Sequence, residues 1–419
     1  MIRTYTNVDN QKNSSSYRIK YGKTFQYGIN SLKRNINTFL LFCLLFFLVF
    51  TPSDSMNLKK ISFGLLILLN FNVMIKYLRK RKNGIISFFA VFFPIILVVL
   101  STIVNNFDIV SAISNAYIML YLLIIPVINY YKIDYEKIFI FILIMLSFVI
   151  FTSGLLDLSG VLSLSNNSLL SFFEKRSEAR VGLWQPSTFG YVIFFKTSSL
   201  LIVLIGYAVA KKKYILMSIS IVAMAFTGTR ANLYVAILVP CIYYLIYRKT
   251  TALKFVAVIF FILIIFMNME NIINYLHNIS ILKEYSDLIK IEHVKSIFTL
   301  LSDNPLYIIT GSGLGSYFYS TGIMCNTRLT EYAYFDLFRQ IGFFNFTLFM
   351  YFLVKPIKVM FIRKENTWIG IAYIGYLAIA FTNPLLFSST PFALYILIYL
   401  KYMDYHRNYY RKIEKNKGI

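Results

Sequence analysis

Apolar residues recur along the chain in long runs, and short polar or basic segments separate the runs. Each run has about 15 to 23 residues, close to the length that a helix needs to cross the hydrocarbon core of a bilayer. The pattern predicts about twelve transmembrane helices. They cover residues 36–52, 61–77, 84–104, 109–129, 138–156, 187–209, 214–228, 231–247, 253–268, 332–354, 367–382 and 387–400.

The composition agrees with this pattern. Hydrophobic residues make up 58% of the 419 residues and charged residues only 14%, whereas a soluble domain has roughly a quarter charged residues. A water-soluble α/β enzyme, a disulfide-rich scaffold and a disordered chain are therefore excluded. No cleavable signal is expected, because a polar and basic segment precedes the first apolar run. The predicted fold class is an all-α polytopic membrane protein.

The charge balance predicts the orientation. The net charge is +24, from 42 Lys and Arg against 18 Asp and Glu. With the N-terminus in the cytoplasm, the inner segments collect roughly thirty of the 42 basic residues, as the positive-inside rule requires. We therefore expect both termini in the cytoplasm. The basic excess then indicates topology and membrane lipid as a partner, not nucleic acid.

Three regions and two large loops follow from this layout. Residues 1–35 form a cytoplasmic basic tail, residues 36–400 the helical bundle, and residues 401–419 a second basic tail. The sizeable loops, 157–186 and 269–331, both lie on the outer face, the second between the ninth and tenth helices. No inner loop is long enough for a nucleotide-binding domain, and no P-loop motif occurs. Chemistry or recognition is therefore expected at the outer face.

The first outer loop brings charged and aromatic residues to the membrane surface. Arg180, Trp184 and Gln185 lie just before the sixth span. One interpretation is an interfacial anchor, with Trp184 in the aromatic belt and Arg180 on lipid phosphates. The other is a substrate site, in which Trp184 stacks on a sugar face.

The second outer loop combines a predicted helix with a glycine-rich turn. The helix begins at Ile281 with one apolar face, which lies on the bilayer or packs on the loop. The apolar stripe drifts along residues 291–301, which predicts a bend, and Pro305 should end the helix. In the turn that follows, the backbone N–H groups could cradle a phosphate oxygen, although many such turns are only turns. Its glycines are Gly311, Gly313 and Gly315.

The start of the tenth span carries ionisable residues. Glu331 is predicted at the helix N-terminus, where the macrodipole favours a carboxylate, and on one stripe with Arg339. Asp336 and Arg339 are three residues apart and can pair. A structural salt bridge is one interpretation. The other is a functional cavity, because ionisable groups within a span are costly and usually mark a pathway or site.

Arginines are predicted on the same side of the membrane as Glu331. Arg180, Arg230 and Arg328 together suit a pyrophosphate group, because guanidinium offers a bidentate fork to phosphate oxygens. Alternatively, Arg230 is an ordinary arginine that snorkels to the interface. Lys196, inside the predicted sixth span, either reaches the same cavity or pairs within the bundle.

The sequence predicts no cofactor and no metal site. The histidines are His277, His293 and His406, and no outer segment has the spacing of metal ligands. A Ser–His–Asp triad has no assembled signature either.

Several motifs resemble those of the O-antigen polymerase and O-antigen ligase superfamily. Residues 227–233 (TGTRANL) resemble its T-G-[ST]-R-[GA] element. Asn304-Pro305 and the turn at 311–316 (GSGLGS) resemble its N-P element and G-x-G-x-G-S turn. Residues 330–342 (TEYAYFDLFRQIG) are similar to the start of its long helix after the outer loop. With the predicted topology, the resemblance covers most of the chain.

The resemblance implies a GT-C-like glycosyltransferase in the bacterial cytoplasmic (inner) membrane. Its substrates would be undecaprenyl-pyrophosphate-linked glycans, polymerised into O-antigen, capsular or exopolysaccharide. Glu331 would activate or orient the acceptor hydroxyl, with Asp336 as the alternative, and Arg180 and Arg230 would stabilise the departing pyrophosphate. Arg328 and Arg339 are further candidates for that duty.

Alternative functions remain open from the sequence. A ligase would transfer the finished chain to lipid A–core, but ligases of this superfamily carry a histidine near Glu331, which this chain lacks. A lipid-linked sugar flippase or secondary transporter is a rival of another class, although the chain lacks two similar halves. A non-catalytic assembly partner is a further alternative. Candidate partners of a polymerase are flippase and chain-length regulator proteins.

Overall fold

The computed structural model describes most of the predicted bundle. The ninth predicted span at 253–268, the predicted helix start at Ile281, and the candidate residues Trp184 and Gln185 lie outside the described residues. The described ranges are 31–53, 57–80, 84–182, 192–247 and 288–416.

The described chain is mostly helical, with two short hairpins. The first group of helices is α1 (Ser31–Phe50), α2 (Leu58–Leu78), α3 (Gly84–Val104), α4 (Ile109–Tyr131), α5 (Tyr135–Leu158) and α6 (Ser168–Lys175). The second is α7 (Ser198–Ala210), α8 (Tyr214–Phe226), α9 (Arg230–Tyr247), α10 (288–303), α11 (Leu306–Thr310), α12 (Ala333–Val354), α13 (Ile357–Ile362), α14 (Thr367–Ile379) and α15 (Ser389–Asn416). The strands are β1 (Ala179–Gly182), β2 (Val192–Phe195), β3 (Phe318–Ser320) and β4 (Cys325–Thr327).

The structure confirms a multi-pass membrane protein. Among the described residues, six helices are long and apolar enough to cross a bilayer: α1 to α5 and the stretch Ala333–Ile362. The first five predicted spans therefore correspond to helices. Shorter apolar helices, α7, α8 and α9, coincide with parts of later predictions.

The predicted sixth span is wrong over residues 192–197. Residues 192–195 form strand β2, which pairs antiparallel with β1, and the helix begins only at Ser198. A short apolar run rich in Val, Ile and Phe suits a strand as well as a helix, and periodicity alone does not separate the two. Lys196 consequently lies after a strand, where its ammonium donates to the Ser53 hydroxyl at 2.6 Å.

The predicted bend in the second outer loop is also wrong. Residues 288–303 form one continuous helix, α10, although its apolar stripe drifts. The drift has a structural reason: Ile297 and Leu301 pack against Phe318 of the hairpin, whereas Phe298 contacts Phe335 of α12. Two neighbours therefore share the apolar surface of α10. The helix ends before Asn304-Pro305, as predicted.

The apolar surface is distributed as in a protein surrounded by lipid. Large apolar side chains such as Leu68, Ile103 and Val110 are exposed on the long helices. Buried tyrosines instead donate to backbone carbonyls: Tyr376 to Leu385 at 3.0 Å, for example. Because hydrocarbon offers no hydrogen bonds, such internal partners are needed.

The long helices run up and down, so the bundle has two ends. We call the end that holds Ser53 and Ser111 the site end, and the end that holds Asn129 and Lys401 the tail end. At the site end, the buried ammonium of Lys59 joins the first connection to the last helix, because it donates to Pro52 O at 2.6 Å and to Ser389 Oγ at 3.1 Å.

Candidate functional site

A break in helix α12 docks the glycine-rich turn. Gly342 has φ 71° and ψ 173°, which interrupts the helix. The interruption frees the carbonyls of Arg339 and Gln340 from helical partners. They accept the N–H groups of Ser312 at 2.7 Å and Gly313 at 3.1 Å. The turn at 311–316 and the start of α12 are therefore one hydrogen-bonded unit.

The turn and α12 approach each other so closely that each segment has a glycine at the contact. Gly311 also has positive φ, 81°. A Cβ at Gly311 would collide with the Gln340 carbonyl, and a Cβ at Gly342 would collide with the Ile309 carbonyl. Only glycine adopts this backbone conformation without strain and leaves the space empty.

The N–H groups of the turn are used within the protein. Leu314 N–H donates to Ser101 Oγ at 2.8 Å, and Gly315 N–H donates to Gln340 Oε1 at 2.8 Å. Ser316 N–H donates to a carbonyl inside the turn at 3.1 Å. The turn thus shapes a wall of the site, and its N–H groups are not arranged as a phosphate cradle.

Arg339 is buried at the centre of this unit, with 0% of its surface exposed. Its Nε and Nη2 donate to Asp336 Oδ1 at 3.1 and 2.8 Å. Its Nη1 donates to Ser312 Oγ at 3.1 Å and Ser316 Oγ at 2.9 Å, and Nη2 also reaches the Arg328 carbonyl at 3.2 Å. All three nitrogens are engaged internally, so Arg339 positions the turn and Arg328.

Asp336 is the acidic member of the unit. Besides the bonds from Arg339, its Oδ2 accepts from Gln340 Nε2 at 3.0 Å. The pairing with Arg339 that the sequence spacing predicts is present. Asp336 is buried but borders a cavity, so its carboxylate is both structurally held and close to a space that a ligand can enter.

A cavity of about 140 Å³ lies between α12, the turn and the connection from α14 to α15. Its lining combines apolar walls with amide, carboxylate and guanidinium groups. The lining residues are Asn115, Leu314, Gly315, Arg328, Leu329, Ala333, Asp336, Leu337, Gln340, Pro384, Leu386 and Phe387.

Arg328 is the cation of this cavity. Its side chain is exposed at the mouth, where Nη2 donates to Ser111 Oγ at 2.9 Å and the guanidinium lies 4.7 Å above the Tyr317 ring. The Arg339 bond to its carbonyl fixes the backbone below. Arg328 is therefore held in place while part of its guanidinium faces solvent.

Glu331 is placed differently from the prediction. It precedes α12, whose N-cap is Tyr332, and its carboxylate pairs with Lys290 on α10 at 2.8 Å. The Glu331 side chain is 51% exposed, whereas Arg339 is buried, so the predicted shared stripe is wrong. Glu331 does not line the cavity described above.

His293 is a residue that the sequence did not single out. It is buried in α10, and its Nδ1 lies 2.6 Å from the hydroxyl of Ser320 in β3. Burial lowers the pKa of His293, while the charges of Glu331 and Asp336 oppose this shift. The contact joins segments 27 residues apart, so no local pattern signals it.

Arg230 and Arg180 belong to neighbouring parts of the site end. Arg230 is the first residue of α9. A buried network flanks it in the chain: Asn232 Nδ2 donates to Thr227 Oγ1 at 3.2 Å, and Asn232 Oδ1 accepts from the Ser199 hydroxyl at 3.2 Å. Arg180 is exposed on β1, opposite Phe194. Neither residue lines the cavity that holds Arg328.

Glu178, beside Arg180, was missed by sequence reasoning. Its side chain is fully buried, Oε2 accepts from Ser53 N–H at 2.8 Å, and Oε1 has no hydrogen-bond partner. It fastens strand β1 to the α1–α2 connection. Among the described residues, no three His, Cys, Asp or Glu side chains gather as metal ligands would.

No family model matches the chain, and no curated protein matches it significantly.

Proposed function

We propose that the protein is a membrane glycosyltransferase that polymerises undecaprenyl-pyrophosphate-linked repeat units at the outer face of the bacterial cytoplasmic membrane. The observation that carries the proposal is the cavity at the site end. There a carboxylate, Asp336, and a cation, Arg328, are held beside amide groups by the turn and helix motifs that resemble those of O-antigen polymerases.

The cavity suits part of such a substrate. At about 140 Å³ it is smaller than the roughly 300–1,000 Å³ of typical small-molecule pockets. A site of this kind would hold the reacting sugar and its diphosphate, while the prenyl chain stays in lipid. Confinement of both substrates to one leaflet supplies the proximity that the reaction needs.

The proposed reaction assigns one role to each polar group. The acceptor hydroxyl oxygen bonds to the anomeric carbon of the donor, and the bond from that carbon to the diphosphate oxygen breaks. A carboxylate takes the hydroxyl proton; we favour Asp336, because it borders the cavity, over Glu331, which pairs with Lys290. Arg328 stabilises the departing diphosphate by charge-assisted hydrogen bonds.

Arg180 and Arg230 remain second candidates for binding the diphosphate or the growing glycan. Both lie at the site end but outside the cavity lining. We also propose that the chain crosses the membrane twelve times in a GT-C-like arrangement, with both termini in the cytoplasm.

Glycan sizing in cells tests the proposal. We expect Arg328→Ala and Asp336→Asn to leave mostly single-repeat glycans, whereas Arg363→Ala at the tail end should preserve long chains. Glu331→Gln and Arg230→Ala distinguish the other candidates. Unchanged chain lengths in the Arg328 and Asp336 variants, at equal protein levels, would refute these assignments, and accumulation of unattached polymer after deletion would indicate a ligase.

A further inference from the structure

A second cavity, of about 270 Å³, lies at the tail end between the α4–α5 connection and α15. Ser111 at the candidate site and Asn129 at this cavity are 18 residues apart on α4. With a rise of about 1.5 Å per α-helical residue and about 2.0 Å per residue over the 3₁₀ stretch Tyr117–Leu123, they are separated by about 30 Å. That separation matches the ~30 Å of a hydrocarbon core. The second cavity therefore lies at the opposite membrane surface.

Hydrogen-bond donors and carboxylates both line this cavity. Asn129 Nδ2 is buried beside the Tyr77 hydroxyl and makes no other hydrogen bond. Arg407 from α15 donates to Asn129 Oδ1 at 3.1 Å and lines the cavity, as does Lys132 at the end of α4. Arg34 lies alongside, 3.5 Å from the Lys132 carbonyl. The wall thus offers an amide, an ammonium and a guanidinium.

The acids that line the cavity have other partners. Glu136 pairs with Lys401 at 2.5 Å. Asp134 caps helix α5, because its Oδ1 accepts from the Lys137 N–H at 3.1 Å. Asp404 is 3.8 Å from Arg407, and both side chains are about half exposed, so this pair is weak. With these acids engaged, the exposed lining cations that can contact an anion are Lys132 and Arg407.

We propose that this cavity binds the phosphate group of an anionic phospholipid. A phosphate oxygen can accept a hydrogen bond from the Asn129 amide, and its charge matches Lys132 and Arg407. The surroundings favour a lipid over free phosphate: the cavity opens at the bilayer surface, and Tyr130 beside it is exposed, as in the aromatic belts of membrane proteins. The inference does not depend on the proposed reaction.

Native mass spectrometry of the full-length protein in detergent tests this site. The probes are phosphatidylglycerol, phosphatidylcholine and inorganic phosphate. We expect tight binding of one phosphatidylglycerol, weaker binding of phosphatidylcholine, and no displacement of bound lipid by millimolar phosphate. The double variant Lys132→Gln/Arg407→Gln should bind phosphatidylglycerol about tenfold more weakly or worse, since two cations are lost.

The matched control is Lys137→Gln/Lys211→Gln, which removes two exposed cations from the same end without touching the cavity lining. It should bind phosphatidylglycerol like the unchanged protein. If the double variant does not fold, Lys132→Gln alone is the fallback, because this exposed side chain can be replaced without disturbing the fold. It should still weaken phosphatidylglycerol binding severalfold. Equal binding by the cavity variant and the control, or displacement of the lipid by phosphate, would overturn the proposal.

Discussion

The Arg339 guanidinium and its partner Asp336 are a buried ion pair at the site end. Their contact is a buried pair with additional hydrogen bonds to the turn. Such a pair does not stabilise a fold more than apolar side chains of equal volume would, but removal of one partner leaves an uncompensated charge. The pair therefore acts as a constraint on the position of the turn.

The first prediction concerns this constraint. We expect Arg339→Met to lower the free energy of unfolding by about 3–5 kcal/mol, because the Asp336 carboxylate loses its cation. Thermal unfolding in detergent measures the effect. The double variant Asp336→Leu/Arg339→Met should recover much of the loss. Arg363→Ala, which removes a partly exposed pair with Glu365 and a contact 5.5 Å from the Tyr405 ring, should change stability by no more than about 1 kcal/mol; a similar loss in both single variants would contradict the argument.

The second prediction concerns pH. The pKa of His293 is lowered in the folded protein, so the unfolded chain binds more protons as pH falls through the ordinary histidine value of about 6.5. The His293 contribution is complete above that pH and is lost below it, towards the folded-state pKa. The charged groups around it are Lys290, Glu331 and Asp336, with the Ser320 hydroxyl as direct partner.

Unfolding temperatures between pH 5 and 7.5 test this sign. The unchanged protein should lose stability towards pH 5 more steeply than His293→Gln, which keeps a polar side chain but does not titrate. Equal slopes would show that His293 does not contribute to the acid sensitivity.

Contacts between residues close in sequence were predictable, whereas contacts between distant segments were not. The Asp336–Arg339 pair was predictable, since three-residue spacing on a helix brings two side chains together. The partner of His293 and the acceptors of the turn N–H groups were not predictable, because Ser320, Ser101 and Gln340 reach them from distant segments. Long-range contacts of this kind leave no periodic signal.

At the scale of elements, the break in α12 determines the geometry of the site. Without it, the Arg339 and Gln340 carbonyls would be bonded within the helix and the turn would have no docking surface. The sequence predicted a single span here because an apolar run continues across Gly342. An isolated glycine is tolerated in helices, so its presence alone does not predict a break.

The third prediction follows from this break. Gly342→Ala should destabilise the protein by more than about 1 kcal/mol, because alanine is strained at positive φ and its Cβ meets the Ile309 carbonyl. Glycan length should shorten as well, since the turn forms a wall of the cavity. Gly64→Ala in α2 is the control, as nothing lies within 4 Å of its Cβ position. Equal stability of the two variants would refute the role of Gly342.

For the molecule as a whole, hydropathy predicted the membrane-crossing helices but not their connections. The first five spans correspond to α1 to α5 because length and apolar character suffice to define them. The first part of the sixth span became β2, since pairing with β1 decided between strand and helix. The cavity at the site end combines segments from four separate parts of the chain and could not be read from any one of them.

The fourth prediction concerns orientation. Cys325 is exposed in the hairpin at the site end, while Cys43 and Cys241 lie within apolar helices. A membrane-impermeant maleimide should therefore label Cys325 in intact cells, if the site end faces outward as the positive-inside rule predicts. Cys325→Ser should abolish the label, and Lys137→Cys at the tail end should react only after permeabilisation. Labelling of Cys325 only after permeabilisation would reverse the topology.

The contact between Lys59 and Ser389 has a consequence for biosynthesis. The two residues are 330 positions apart, and at roughly 5–20 residues per second the ribosome needs about 20 to 60 seconds to proceed from one to the other. Throughout that interval the nascent chain is threaded into the membrane without the hydroxyl that later receives the Lys59 ammonium. Final closure of the bundle is therefore a late, post-insertion event, and chains stalled before α15 should be targets for membrane quality-control proteases.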